Sequence, residues 1–241
     1  MYSVFITVTP TCMSSHQAPK EHELRFAVLA VDTVAFRLHN NGLEILLIKV
    51  ENPDFKDMEG LPGGLIKPKE TADQAAVRHL TDKGGLSGAY VEQLYTFSDV
   101  DRDTRGRVVS VAHLALFAPD EARLEGREAQ AAGRWCPVNS VPKRLAYDHD
   151  IILKTALVRL RARIEYTTII RHLLPKEFTL TELQIAYESV LGHELDKRNF
   201  RKKILGLELV AETGRTRTQG ASRPAALYKF ARPGVQTIEI L

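Results

Sequence analysis

Gly64-Leu65-Ile66-Lys67-Pro68-Lys69-Glu70-Thr71-Ala72-Asp73-Gln74-Ala75-Ala76-Val77-Arg78-His79-Leu80-Thr81-Asp82-Lys83-Gly84-Gly85-Leu86 is the stretch on which the fold of this 241-residue chain turns. It carries both ends of a helix. Thr71 and Gln74 have the spacing of a capping box, in which side chain and backbone satisfy each other at a helix start. Gly84-Gly85 supplies the residues that stop one. Gly60-Leu61-Pro62-Gly63-Gly64 leads into it. Within the helix, positions 79, 82 and 83 stand at i, i+3 and i+4 and so share one face.

Working outward, residues 26–36 and 44–50 are β-branched or aliphatic runs separated by His39-Asn40-Asn41-Gly42, whose Asn-Gly pair signals a hairpin. Beyond the helix, 91–97 and 108–117 form a second strand pair around a polar loop at 99–106. From 150 onward the period becomes helical. Ile151, Ile152, Thr155, Ala156, Val158 and Leu160 form an apolar face, which predicts a helix running to about 174, before Pro175. Thr179 and Glu182 make another capping box, Gly192 ends that helix, and Asp196 caps a third over 197–207. A short run at 210–212, a polar loop at 213–224 and an alternating strand at 226–230 follow. Three helices and a hairpin are the order of a winged helix-turn-helix. The expected organisation is an arm at 1–20, an α/β domain at 21–148, and a linker helix with a winged helix at 149–241.

Composition excludes several classes. With 44% apolar and 26% charged residues the chain is an ordinary globular protein. Its longest early apolar run, Phe26 to Val31, is far short of the ~20 residues of a membrane span, so no membrane partner is expected. The N-terminus lacks the basic region of a signal peptide. Cys12 and Cys136 form no disulfide framework and have no metal-site spacing, which fits a reducing cytoplasm. The net charge of +3 averages two unlike halves: residues 1–150 sum to −4 and 151–241 to +7. Between Lys197 and Arg232 the sum is +8, the footprint expected of a nucleic-acid-binding surface.

Gly64, Glu70, Arg78, Leu80, Gly85 and Leu86 fall in register with the Nudix box, and the segment resembles that family. The resemblance implies a Nudix α/β/α sandwich over roughly 22–145. In active Nudix proteins three glutamates on the helix bind a divalent metal; the matching positions here are His79, Asp82 and Lys83. Mg²⁺ demands hard oxygen ligands, and a lysine ammonium repels it. Hydrolysis that leans on metal is therefore expected to be weak or absent, with no metal and no catalytic residue assigned. Glu70, Glu59 and Asp57 are the carboxylates left for any residual activity. Lys83 is suited to stand in for part of the lost positive charge as a point-charge phosphate binder. In the loop at 99–106 and its border, Arg102, Arg105 and Arg107 offer planar donors suited to phosphate, unless they pair with Asp99, Asp101 and Asp103. Phe97 is placed either to stack a base or to pack in the core.

That loop, together with Leu145-Ala146-Tyr147-Asp148-His149-Asp150, looks like the NrtR family, Nudix-related transcriptional regulators of NAD metabolism, although Lys143-Arg144 departs from its pattern. The resemblance implies ADP-ribose or a related nucleotide as effector, bound by Gly63, Gly64, Arg78, Lys83, Phe97, Arg102, Arg105 and Arg107 with no cofactor. It also implies a repressor of NAD-biosynthesis genes that releases DNA when the effector binds. On the third helix Leu195, Phe200, Ile204 and Leu207 face the core, which leaves Lys197, Arg198, Asn199, Arg201, Lys202 and Lys203 outside. Arg198 is suited to guanine and Asn199 to adenine in the major groove. Thr179 and Thr181 on the second helix, and Arg215, Arg217 and Arg223 of the wing, complete the expected contacts to double-stranded DNA. A homodimer on a palindromic operator is expected. The rival readings are an active ADP-ribose pyrophosphatase with an accessory winged helix, and a regulator that senses a phosphorylated sugar.

Overall fold

Strand side chains alternate between faces. In β1 (Val28–His39) that alternation sends Val34 and Phe36 to one side and Val31 and Ala35 to the other, all fully buried. A strand buried on both faces must be covered on both, and that requirement organises the first half. The computed structural model describes residues 26–119, 133–218, 224–238 and 240. The expectations for the arm at 1–20 and for Arg223 lie outside the described residues.

β1 pairs antiparallel with β2 (Gly42–Lys49) through a two-residue turn. The turn centres on Asn40 and Asn41, at φ 48 and 61, rather than on Asn41-Gly42. Asparagine tolerates the left-handed region that such a turn requires. β3 (Glu59–Gly60) continues the sheet beyond β2, and β4 (Gly63–Leu65) pairs with the first part of β1. Helix α1 (Ala72–Gly84) begins at Thr71 with both halves of its capping box formed and ends on Gly85 at φ 62. β5 (Tyr90–Phe97) and β6 (Val108–Phe117) follow the sequence reading closely, and β6 lies parallel to β1. β7 (Gly133–Pro137), paired with β2, is a strand that no sequence pattern announced.

Helix α2 (His149–Tyr166) covers the face opposite α1. Ile152, Ala156 and Leu160 share a core with Phe36, Ile45 and Leu114, while Leu80 and Leu86 pack on Ala35, Leu46 and Phe117. The arrangement is the expected α/β/α sandwich. The helix predicted to reach 174 stops at Tyr166. Thr167 turns extended, its hydroxyl donates to the Arg163 carbonyl, and residues 168–173 continue as a 3₁₀ turn. The cause is distant. Thr167 bridges Thr237, and Ile238 donates its amide to the Tyr166 carbonyl, so a C-terminal segment takes the bonds a continuing helix would need.

Helices α3 (Leu180–Leu191) and α4 (Lys197–Gly206) form the helix-turn-helix, with Gly192 left-handed between them. β8 (Val210–Arg217) and β9 (Ala225–Phe230) form the wing. β8 runs into the segment expected to be loop, absorbing left-handed Gly214 in an irregularity between Glu212 and Thr216. Phe178, Tyr187 and Phe200 lie in the same apolar core as α2, and Ser189 Oγ donates to the Asn41 carbonyl at the hairpin tip. No helix among the described residues is long and apolar enough to cross a membrane.

Candidate functional site

A cleft of about 730 Å³ opens where β1, β4, the C-terminal half of α1 and the loop before β6 converge. Its wall at Gly63 is bare backbone by necessity. A Cβ there would meet the Val31 carbonyl at 2.3 Å and Asp32 Oδ1 at 2.4 Å, so only glycine lets β4 approach β1 this closely.

The face of α1 bearing positions 79, 82 and 83 forms one side. His79 is buried against Gly64, its Nε2 is 3.2 Å from the Leu65 carbonyl, and burial pushes its pKa down, helped by the charges of Arg78 and Lys83. Lys83 Nζ donates to the Gly63 carbonyl at 2.8 Å, which brings an ammonium into the cleft. This donor set does not fit the divalent cation that a Nudix helix ordinarily holds: one neutral ring, one exposed carboxylate and one cation. Among the described residues no group of three His, Cys, Asp or Glu side chains is disposed to bind a metal. Of the three other candidate carboxylates, exposed Asp57 apart, two are committed elsewhere. Glu70 receives Arg78 at 2.5 and 2.9 Å and the Lys67 amide at 2.7 Å, which lower its pKa to about 2. Glu59 pairs with Arg134.

The floor is a buried ionic network that sequence reading missed. Arg102 donates to Asp32 at 2.9 Å and, through two nitrogens, to Asp148 at 2.7 and 3.0 Å. Ser110 Oγ donates to Asp32 at 2.7 Å. His149 Nδ1 accepts the Leu61 amide at 2.9 Å, so the ring hydrogen sits on Nε2, 3.2 Å from Asp32. Burial alone would raise the Asp32 carboxyl; His149, Arg102 and Ser110 outweigh it and hold it well below the usual carboxylate range. The available signal was Asp32 itself, a lone carboxylate inside a strand buried on both faces, which had to find a partner.

Of the eight residues expected at the effector, Gly63, Gly64, Lys83, Arg102 and Arg105 line the cleft. Arg102 does so as a correction to its expected role, because its side chain is only 3% exposed and already serves two carboxylates. Arg105 pairs with Asp103 and lies 5.8 Å from the Tyr147 ring. The other three stand elsewhere. Arg78 is taken by Glu70 and the Leu65 carbonyl. Arg107 donates to the Asp99 carbonyl. Phe97 packs on the core and edge-on against Tyr95. Tyr147, not anticipated, contributes an aromatic wall beside Phe55, with ring centroids 4.3 Å apart.

At the far end of the molecule α4 is pinned by Phe200 and Ile204, both buried, and capped by Asp196. Lys197, Arg198, Asn199, Lys202 and Lys203 are exposed. Arg201 is half-buried and donates to Thr181 Oγ1 at 2.9 Å, tying α4 to α3. The Thr179 hydroxyl is occupied as the cap of α3. In the wing, Arg215 pairs with Glu177 and Arg217 with Glu182.

A mixed sheet between helices with a Nudix-box cleft, continued by a helix-turn-helix and wing, defines a Nudix protein with a C-terminal winged helix. The pattern of the NUDIX domain family matches residues 28–156, and that of the NrtR DNA-binding winged helix domain matches 170–230. The chain belongs to the NrtR family. It is 35% identical over 209 residues to the ADPR responsive transcriptional repressor NtrR of Acinetobacter baylyi, covering 85% of this chain and 82% of that protein. NrtR of Shewanella oneidensis, solved in complex with a 27mer DNA, superposes with a TM-score of 0.74 at 33% identity, over 84% of this chain and 93% of that one. That protein's NUDIX domain has also been solved with ADP-ribose. An ADP-ribose pyrophosphatase of Methanocaldococcus jannaschii is 37% identical over 111 residues, 46% of this chain and 64% of that enzyme.

Proposed function

We propose that this protein is a DNA-binding transcriptional repressor whose Nudix domain binds ADP-ribose or a closely related nucleotide, and that the bound nucleotide releases DNA. The observation that carries the reading is the outer face of α4. Five side chains, four of them cationic, stand exposed there without partners among the described residues, on a helix held rigidly from behind. Lys and Arg in that setting neutralise phosphates, and Arg198 and Asn199 are the base-reading pair. As the resemblance to NrtR implies, the targets are genes of NAD biosynthesis; the protein acts in the cytoplasm as a homodimer on a palindromic site, because a single winged helix has a small footprint. In this reading residues 21–148 hold the sensor and 149–241 the linker helix α2 and the reader, α2 also packing on the sheet of the sensor. Thr181 and Arg201 act together, and Arg215, Arg217 and Arg223 grip the flanking backbone.

In the cleft the Lys83 ammonium supplies the positive charge that a metal would otherwise give to a diphosphate, and Gly63, Gly64 and Arg105 complete the cradle. With His79 and Lys83 at two of the three metal positions, the cleft binds without hydrolysing. The decisive experiment is a mobility shift on a promoter of an NAD-biosynthesis gene, with and without ADP-ribose. Retarded DNA that ADP-ribose frees, and binding that falls steeply with salt, is the expected result; a flat salt response overturns the DNA reading. The likeness to the pyrophosphatase favours one alternative, hydrolysis of ADP-ribose, and robust AMP release with Mg²⁺ or Mn²⁺ would establish it. A thermal-shift panel of nucleotides and sugar phosphates identifies the effector.

A further inference from the structure

The three residues at the root of α2 each hold on to the cleft. The Tyr147 hydroxyl accepts from Asn52 Nδ2 at 3.1 Å. Asp148 gives both its oxygens to Arg102, and His149 engages the Leu61 amide and Asp32. Asp148 is the chemically unusual one. It stands at the N-cap position of α2, where an aspartate ordinarily accepts from the free N–H groups of the helix, yet its side chain makes no such bond. Its carboxylate therefore has two competing partners, the guanidinium on the cleft floor and the start of its own helix. Arg102 in turn serves two carboxylates with one positive charge, and Asp32 keeps Ser110 and His149 as further partners, so Asp148 is the carboxylate that can leave, beside a cleft suited to an anion. A diphosphate entering there favours the arrangement that Asp148 has left.

We propose that Asp148 is the positioning residue that couples the cleft to the winged helix: paired with Arg102 it holds α2 in the DNA-binding arrangement, and an anionic ligand in the cleft displaces it onto the N-terminus of α2. The proposal rests on the regulator reading above. Movement at the root reaches the reader because the other end of α2 is packed into it. Arg161 Nε donates to the Val190 carbonyl of α3 at 3.0 Å, and Leu160 and Ile164 share a core with Tyr187. The ligand acts only through its preference for the released arrangement, and linkage makes the effect reciprocal.

Asp148→Ser tests this. Serine caps a helix but has no charge to pair with a guanidinium, so the variant is set toward the released arrangement. The probes are ADP-ribose and a duplex selected by the wild-type protein from a random pool. Saturating ADP-ribose is expected to weaken wild-type DNA binding by about 5- to 150-fold. In Asp148→Ser, DNA affinity falls and ADP-ribose affinity rises, each by about tenfold, and the coupling shrinks to about twofold or less. A merely structural lesion weakens both ligands together. Two affinities that move in the same direction, or a coupling left intact, overturn the assignment. Asp148→Asn, which keeps the side-chain shape, is measured in parallel and has to give the same opposed shifts, so a folding defect in one variant does not decide the matter. A wild type that binds both ligands without any coupling overturns the regulator reading, and the role of Asp148 with it.

Discussion

Arginines at two ends of this molecule have opposite fates. Arg102, in a loop of the Nudix domain, is sealed beneath the cleft between Asp32 and Asp148. Arg198, on the first turn of α4, is exposed and has no partner among the described residues. In sequence both sit in short charged clusters and both look like anion binders. The difference comes from carboxylates 46 and 70 residues away from Arg102, which converge on it through the strand β1 and the root of α2. A guanidinium that already has two carboxylates holds structure together; one with none is available to a ligand. The wing lies between the extremes, since Arg215 and Arg217 are paired with glutamates on the surface, where such pairs contribute little and yield readily to phosphate.

The contrast can be broken hardest at the floor. Asp32→Ala removes a partner from Arg102, His149 and Ser110 at once and is expected to cost about 3 kcal/mol of stability in urea unfolding, the lower end for a broken buried pair because Arg102 keeps Asp148. A loss below about 1 kcal/mol would mean that the floor is no more than a surface pair. At the other pole, Arg198→Ala is expected to weaken DNA binding by about 1–3 kcal/mol while leaving the unfolding midpoint unchanged. Unchanged DNA affinity removes Arg198 from the reading set.

The smallest effect lies between the two regions, where His172 stacks on Tyr90 of β5 with ring centroids 4.2 Å apart. Burial, with Arg171 adding, pushes the His172 pKa from 6.5 down to about 4. The unfolded chain takes up a proton below 6.5 while the folded chain resists until about 4, so stability declines as pH falls through that window. The ring is only half-buried, which reduces the effect to about 1 kcal/mol. His172→Phe keeps the stacking and is expected to flatten stability between pH 6.5 and 4; an unaltered slope would assign the decline to other groups.

What sequence made legible here was local. α1 ends at Gly84 and α4 begins at Lys197, as their caps announce, because capping boxes and left-handed glycines act within four residues. Thr167 was illegible for the opposite reason. The bonds that end α2 come from Gln236 and Ile238, some 70 residues on, and no periodicity in 151–174 contains them. The site divides the same way. Gly64 and Lys83 lie inside the motif and Gly63 just before it, so their place at the cleft could be read there, whereas the partners of Arg102, the burial of Phe97 and the wall at Tyr147 depend on which strands the fold lays side by side.

Lys83 has a consequence beyond the chemistry of the cleft. A Nudix helix with three glutamates draws its positive charge from a dissolved ion, so that charge follows the ion's concentration. With an ammonium covalently in place, held on the Gly63 carbonyl, the cleft carries its own counter-charge. On the proposed reading its response is expected to follow the nucleotide concentration alone and to be insensitive to magnesium.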